Sequence, residues 1–93
     1  MMNDSKRLSS TILIVDDLEF NITLLSQILS TAGYTCVTST THPGEVSALH
    51  RKNNYDLILL DIEMPDMDGF QVMRRLHETG AEDFPPILVI TAE

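Results

Sequence analysis

Three aspartates stand where apolar runs stop. TILIV (Thr11–Val15) is followed by Asp16 and Asp17, and LILL (Leu57–Leu60) by Asp61. Glu19, Glu63, Asp66 and Asp68 add acids in the adjoining segments, so seven of the fourteen acids fall in two short stretches. Converging carboxylates repel one another, and each disfavours ionisation of its neighbours. A hard divalent cation removes that penalty. Mg2+ suits such a place, because it takes one or two carboxylates, keeps some waters and leaves room for a phosphoryl oxygen. Taken singly, each feature has a plainer reading. Asp16–Asp17 works as a loop-and-cap pair before a helix, Asp61 as a turn acid, and IEMPDMDG as a solvated loop.

The elements decide whether these acids meet. Thr11–Val15 is a β-branched apolar run and predicts a buried strand. From Phe20 the period changes, and Leu24, Leu25, Ile28, Leu29 and Ala32 predict one face of a helix closed by Gly33 at C′. Tyr34–Thr40 predicts a second strand in which Cys36 is buried as a small apolar residue. Thr41 or His42 caps a second helix with Pro43 in its first turn, Val46 and Leu49 as its apolar stripe, and Arg51–Asn54 as its polar end. Tyr55–Leu60 is a third strand. Pro65 and the Asp-Gly pair make the next segment a loop. Phe70, Met73, Leu76 and His77 then continue at helical spacing to Gly80. Phe84–Thr91 is a fourth strand opened by two prolines. Strand and helix alternate, and the strands are apolar runs. Both features predict a three-layer α/β fold with a parallel sheet covered on both sides. In such a sheet the carboxyl ends of the strands share one edge, where ligands bind. Asp16, Asp17 and Asp61 should therefore converge.

Composition excludes several other classes. The chain of 93 residues carries six basic and fourteen acidic residues, a net charge of −8. That balance argues against nucleic-acid and anionic-membrane surfaces. Aromatics are 5% with no Trp, too few for a base-stacking platform. The longest apolar run is four residues, and MMNDSKRLSS has no apolar h-region. One cysteine makes no internal disulfide, and no Cys/His cluster suggests zinc. The expectation is a cytoplasmic domain with a flexible arm over residues 1–10 and one folded unit over 11–93.

In register, ILIVDD (Ile12–Asp17), LILLDIEMPDMDG (Leu57–Gly69) and PILVITAE (Pro86–Glu93) resemble the receiver domain of two-component response regulators. The resemblance implies a flavodoxin-like receiver fold with strand order 2-1-3-4, the family's fifth strand being absent. It implies Asp61 as phosphoacceptor for a histidine kinase or phosphotransfer protein, and a switch module in place of a turnover enzyme. It also implies Mg2+ held directly by Asp17 and Asp61, by Asp16 mainly through water, and by the backbone carbonyl of Glu63. Thr91 would hydrogen-bond the phosphoryl group. One departure stands out. The family pairs the phosphoryl group with a lysine at the end of a fifth strand, and here the lysines are Lys6 and Lys52. The chain thus reads as a receiver truncated after its fourth strand. The alternative is a phosphorylation-impaired interaction or dimerisation module. An aspartate-nucleophile phosphatase commonly needs two Asp alternating at the strand end, and VDDLEF lacks the second.

The remaining residues have plainer roles. The basic residues come as the dipeptides Lys6-Arg7, Arg51-Lys52 and Arg74-Arg75, the last two on solvated helix faces. His42, His50 and His77 read as surface residues, Met73 as packing, and Met64 as shaping the loop before Pro65. With strand four at the edge of the sheet, Ile87–Ile90 forms an open apolar edge that invites pairing with a second copy.

Overall fold

The computed structural model describes residues 8–61, 71–74 and 86–90. Four strands form one sheet: β1 (Thr11–Val15), β2 (Cys36–Thr40), β3 (Leu57–Asp61) and β4 (Ile87–Ile90). Their order is β2-β1-β3-β4, and every pairing is parallel. Helix α1 (Glu19–Thr31) joins β1 to β2. A 3-10 turn (Pro43–Glu45) and helix α2 (Val46–Asn53) join β2 to β3. Residues 71–74 are helical as well.

The alternation of side chains along each strand splits the core in two. Leu13, Val15, Ile58 and Leu60 face α2 and the 71–74 segment, packing with Val46, Tyr55 and Val72. Ile12, Ile14 and Leu59 face the other way, against Ile22, Leu25 and Leu29 of α1. The expected three-layer doubly wound sheet, in the order 2-1-3-4, is the one observed. β1 lies inside the sheet and is covered on both faces, so an unbroken apolar run is the pattern it needs.

Local chemistry sets the turns. Gly33 has φ 104, a left-handed value that a Cβ disfavours, and its N–H caps α1 by donating to Ser30 O at 3.0 Å. Leu8 packs against Gly33, and its carbonyl accepts the Thr35 N–H at 3.3 Å. Pro43 opens the 3-10 turn, with His42 at its N-cap, where the missing proline N–H costs nothing. Asn54, at φ 56, ends α2 in the left-handed region and turns the chain back into β3.

Three expectations are corrected. The inward stripe of α1 is Ile22, Leu25 and Leu29, while Leu24, Ile28 and Ala32 are exposed. Its apolar residues spread over more than half of the helix circumference, so spacing alone does not choose the buried side. Cys36 is exposed, because β2 is an edge strand with most of its residues open to solvent. His50 is buried, and its Nδ1 accepts the Tyr55 N–H at 3.1 Å. The Tyr55 ring stacks beside it with centroids 6.2 Å apart, and the Tyr55 hydroxyl takes bonds from Asn53 and Thr38. The reversal at Asn54 creates this contact, and no spacing within LHRKN announces it.

Candidate functional site

The β1–β3 register explains how the acids meet. Thr11 and Asp56 start the ladder, with the Asp56 N–H donating to Thr11 O at 2.8 Å. Val15 pairs with Leu60 at its end. One residue further along both strands stand Asp16 and Asp61. The alternation along the strands puts both on the side of Ile14 and Leu59, where α1 packs. Asp17 follows at the mouth of the loop.

Asp16 and Asp61 are each only 4% exposed, and Asp17 is half-buried. Each of the three offers a carboxylate oxygen, and these oxygens all lie within 4.8 Å of one another. Buried carboxylates this close are a costly arrangement unless cations or hydrogen-bond donors compensate them. An all-oxygen, all-carboxylate donor set fits a hard cation such as Mg2+ and does not suit a soft metal.

Asp16 is held by the protein itself. Its Oδ1 accepts the Leu18 N–H at 3.0 Å, and its Oδ2 accepts from Asn21 Nδ2 at 3.2 Å. The first bond closes a short turn at the entry to α1, whose N-cap residue Leu18 makes no side-chain capping bond. The plain loop role weighed for Asp16 and the convergent role are therefore both present in one side chain. The Asp16 N–H in turn donates to Thr40 O at 3.3 Å, tying β1 to the end of β2. Thr40 Oγ1 accepts the His42 N–H at 3.0 Å and donates to Glu45 Oε1 at 2.9 Å, which fixes that loop. Asn21 and Thr40 escaped the reading of the sequence. The available signal was a lone amide in the first turn of a helix that follows strand-ending acids. Glu63 and Thr91, with the whole of the IEMPDMDG segment, lie outside the described residues. So do Pro85 and, of the residues expected to form a third helix, Phe70, Leu76 and His77.

Among the described residues no helix is long and apolar enough to cross a membrane. The family model for the response regulator receiver domain matches residues 12–93. Hybrid signal transduction histidine kinase L of Dictyostelium discoideum is 40% identical over 94 residues, covering 96% of this chain and 5% of that protein. Response regulator PleD of Caulobacter vibrioides is 39% identical over 85 residues, covering 91% of this chain and 18% of that protein. The chain thus spans a small part of the curated relatives it matches. Among solved structures, Vibrio cholerae chemotaxis protein CheY4 superposes with TM-score 0.81 at 32% identity, covering 91% of this chain and 70% of that one. A chain in the CheX–CheY–BeF3–Mg2+ complex of Borrelia burgdorferi gives TM-score 0.82 at 26% identity, covering 99% of this chain and 69% of that one. Register, convergent aspartates and these similarities agree: the chain belongs to the response regulator receiver domain family.

Proposed function

We propose that this chain is the receiver module of a phosphorelay and accepts a phosphoryl group on Asp61. The observation that carries the reading is the convergence of Asp16, Asp17 and Asp61 within 4.8 Å at the carboxyl edge of a parallel sheet. Receiver domains work with histidine kinases or phosphotransfer proteins, and the donor here is a phosphohistidine on such a partner. An Asp61 carboxylate oxygen attacks phosphorus as the bond from phosphorus to the histidine nitrogen breaks. Asp17 and Asp61 would hold Mg2+ directly and Asp16 through water, with the Glu63 carbonyl as the remaining protein ligand that the resemblance implies. The chemistry such an ion would supply is neutralisation of charge on the phosphoryl oxygens. The Thr91 hydroxyl donates to the phosphoryl group once it is present. That contact exists in one state only, so it can shift a two-state equilibrium. The module switches and does not turn over substrate, and a cytoplasmic location goes with this role. The Borrelia complex, which contains BeF3 and Mg2+, supports the reading by similarity.

The metal assignment is tested directly. Mg2+ titrated while backbone amide shifts are followed should perturb Ile14–Leu18 and Asp61 with weak, saturable affinity. Asp17→Asn should weaken that affinity at least about tenfold, in line with the loss of a carboxylate ligand. An unchanged titration would remove Asp17 from the site.

The second reading is an interaction or dimerisation module of the same fold with impaired phosphorylation. It comes with a partner surface. β4 pairs only with β3 among the described strands, and Leu88 and Val89 are 56% and 40% exposed. An apolar, β-branched strand edge is a template for another strand. A second copy of the chain fits it, edge against edge. Light scattering on the 93-residue chain should therefore show mass rising with concentration, and Leu88→Lys should return it to monomer. A concentration-independent monomer would discard this surface.

A further inference from the structure

Both oxygens of Asp16 are already engaged by the protein. The Leu18 N–H takes Oδ1 from the loop side at 3.0 Å, and the Asn21 amide takes Oδ2 from the first turn of α1 at 3.2 Å. Two donors on two oxygens fix the rotation of the carboxylate plane. Asn21 is itself held by the helix, since its backbone N–H donates to Leu18 O at 3.1 Å. With Asp16 at 4% exposure, bulk water does not compete for these positions. Asn21 supplies its hydrogen bond without adding a positive charge, so the cluster stays fully acidic. It restrains Asp16 and leaves the attraction for a cation intact.

This restraint bears on which cation is preferred. Ca2+ takes six to eight oxygens and readily accepts bidentate carboxylates, whereas Mg2+ demands an octahedron, keeps waters and uses few carboxylates. A cluster in which one of three carboxylates is tied back offers fewer direct oxygens. We propose that Asn21 is a positioning residue that holds Asp16 back from direct coordination and thereby favours Mg2+ over Ca2+. The proposal rests on reading the three aspartates as a cation site.

The test titrates Mg2+ and Ca2+ separately, as the metals alone, by calorimetry or amide shifts. The proteins are the wild type, Asn21→Ala, Asn21→Ser and Asp17→Asn. Alanine keeps the helix, and serine is too short to reach Asp16 Oδ2. In both Asn21 variants the ratio of the Ca2+ to the Mg2+ dissociation constant should fall about tenfold, the lower end of the effect of losing an outer-shell partner. A merely structural role would weaken both metals together and leave the ratio fixed. An unchanged ratio in both variants, with binding still lost in Asp17→Asn, overturns the role of Asn21 and spares the site. If the wild type binds neither ion, or Asp17→Asn titrates like wild type, the cation site itself falls and the proposal falls with it.

Discussion

Asp61→Ala should take up no phosphoryl label under conditions that label the wild type. With a small acyl or amido phosphate donor and Mg2+, intact-mass measurement should find one added phosphoryl group per wild-type chain. Peptide mapping should place it on Asp61, and hydroxylamine should remove it, as it does an acyl phosphate. The expected loss is complete, because the carboxylate is the nucleophile and alanine has nothing to replace it. Asp61 is buried at the end of β3, one register step from Val15–Leu60, so its neighbours Asp16 and Asp17 are the nearest alternatives. Asp16 is poorly suited to take over, since the Leu18 N–H and the Asn21 amide hold both its oxygens. Label that persists in Asp61→Ala, or that maps to Asp16 or a histidine, would overturn the assignment. The wild-type rate separates the two functional readings. Slow, incomplete labelling favours the impaired module, and labelling to completion favours the working receiver.

How far the sequence reaches depends on which physical rule acts alone. β1 and β3 are legible because strands buried on both faces must be apolar at every position, and ILIV and LILL are. Asp16, Asp17 and Asp61 are legible because a parallel sheet sends all its strand ends to one edge. α1 is legible as a helix but not as a facing. Phe20, Leu24 and Ile28 are as apolar as Ile22, Leu25 and Leu29, and the packing of the second set on Ile12, Ile14 and Leu59, with the tie from Asn21 to Asp16, shows which side turns inward. His50 and Cys36 fail for a related reason. Burial of the first depends on a chain reversal at Asn54, and exposure of the second on the place of β2 at the sheet edge. Each is a property of topology, which a run of neighbouring residues does not encode.

The same contrast between run and topology yields the largest stability effect. Leu13→Ala should destabilise the chain by about 2–5 kcal/mol, the range for deleting a buried leucine side chain and leaving part of a cavity. Leu13 is fully buried in β1, inside the sheet, and packs with Val15, Val46, Ile58, Leu60 and Val72. Strands on both sides and helices on both faces leave little freedom to collapse into the space, which favours the upper part of that range. A domain of this size has about 5–15 kcal/mol in total, so one such deletion removes a large fraction of it. Phe20→Ala removes a larger side chain, yet Phe20 is 77% exposed and its loss should change stability by less than about 0.5 kcal/mol. Urea unfolding of the two variants beside the wild type measures both. Near-equal midpoint shifts would mean that the packing of β1 between its two layers is not what holds this fold. The pair also separates fold from site. β1 carries Asp16 and Asp17 directly beyond Val15, so the Leu13 variant should lose Mg2+ binding only as it unfolds. Phe20→Ala should keep the wild-type titration at every urea concentration below its midpoint.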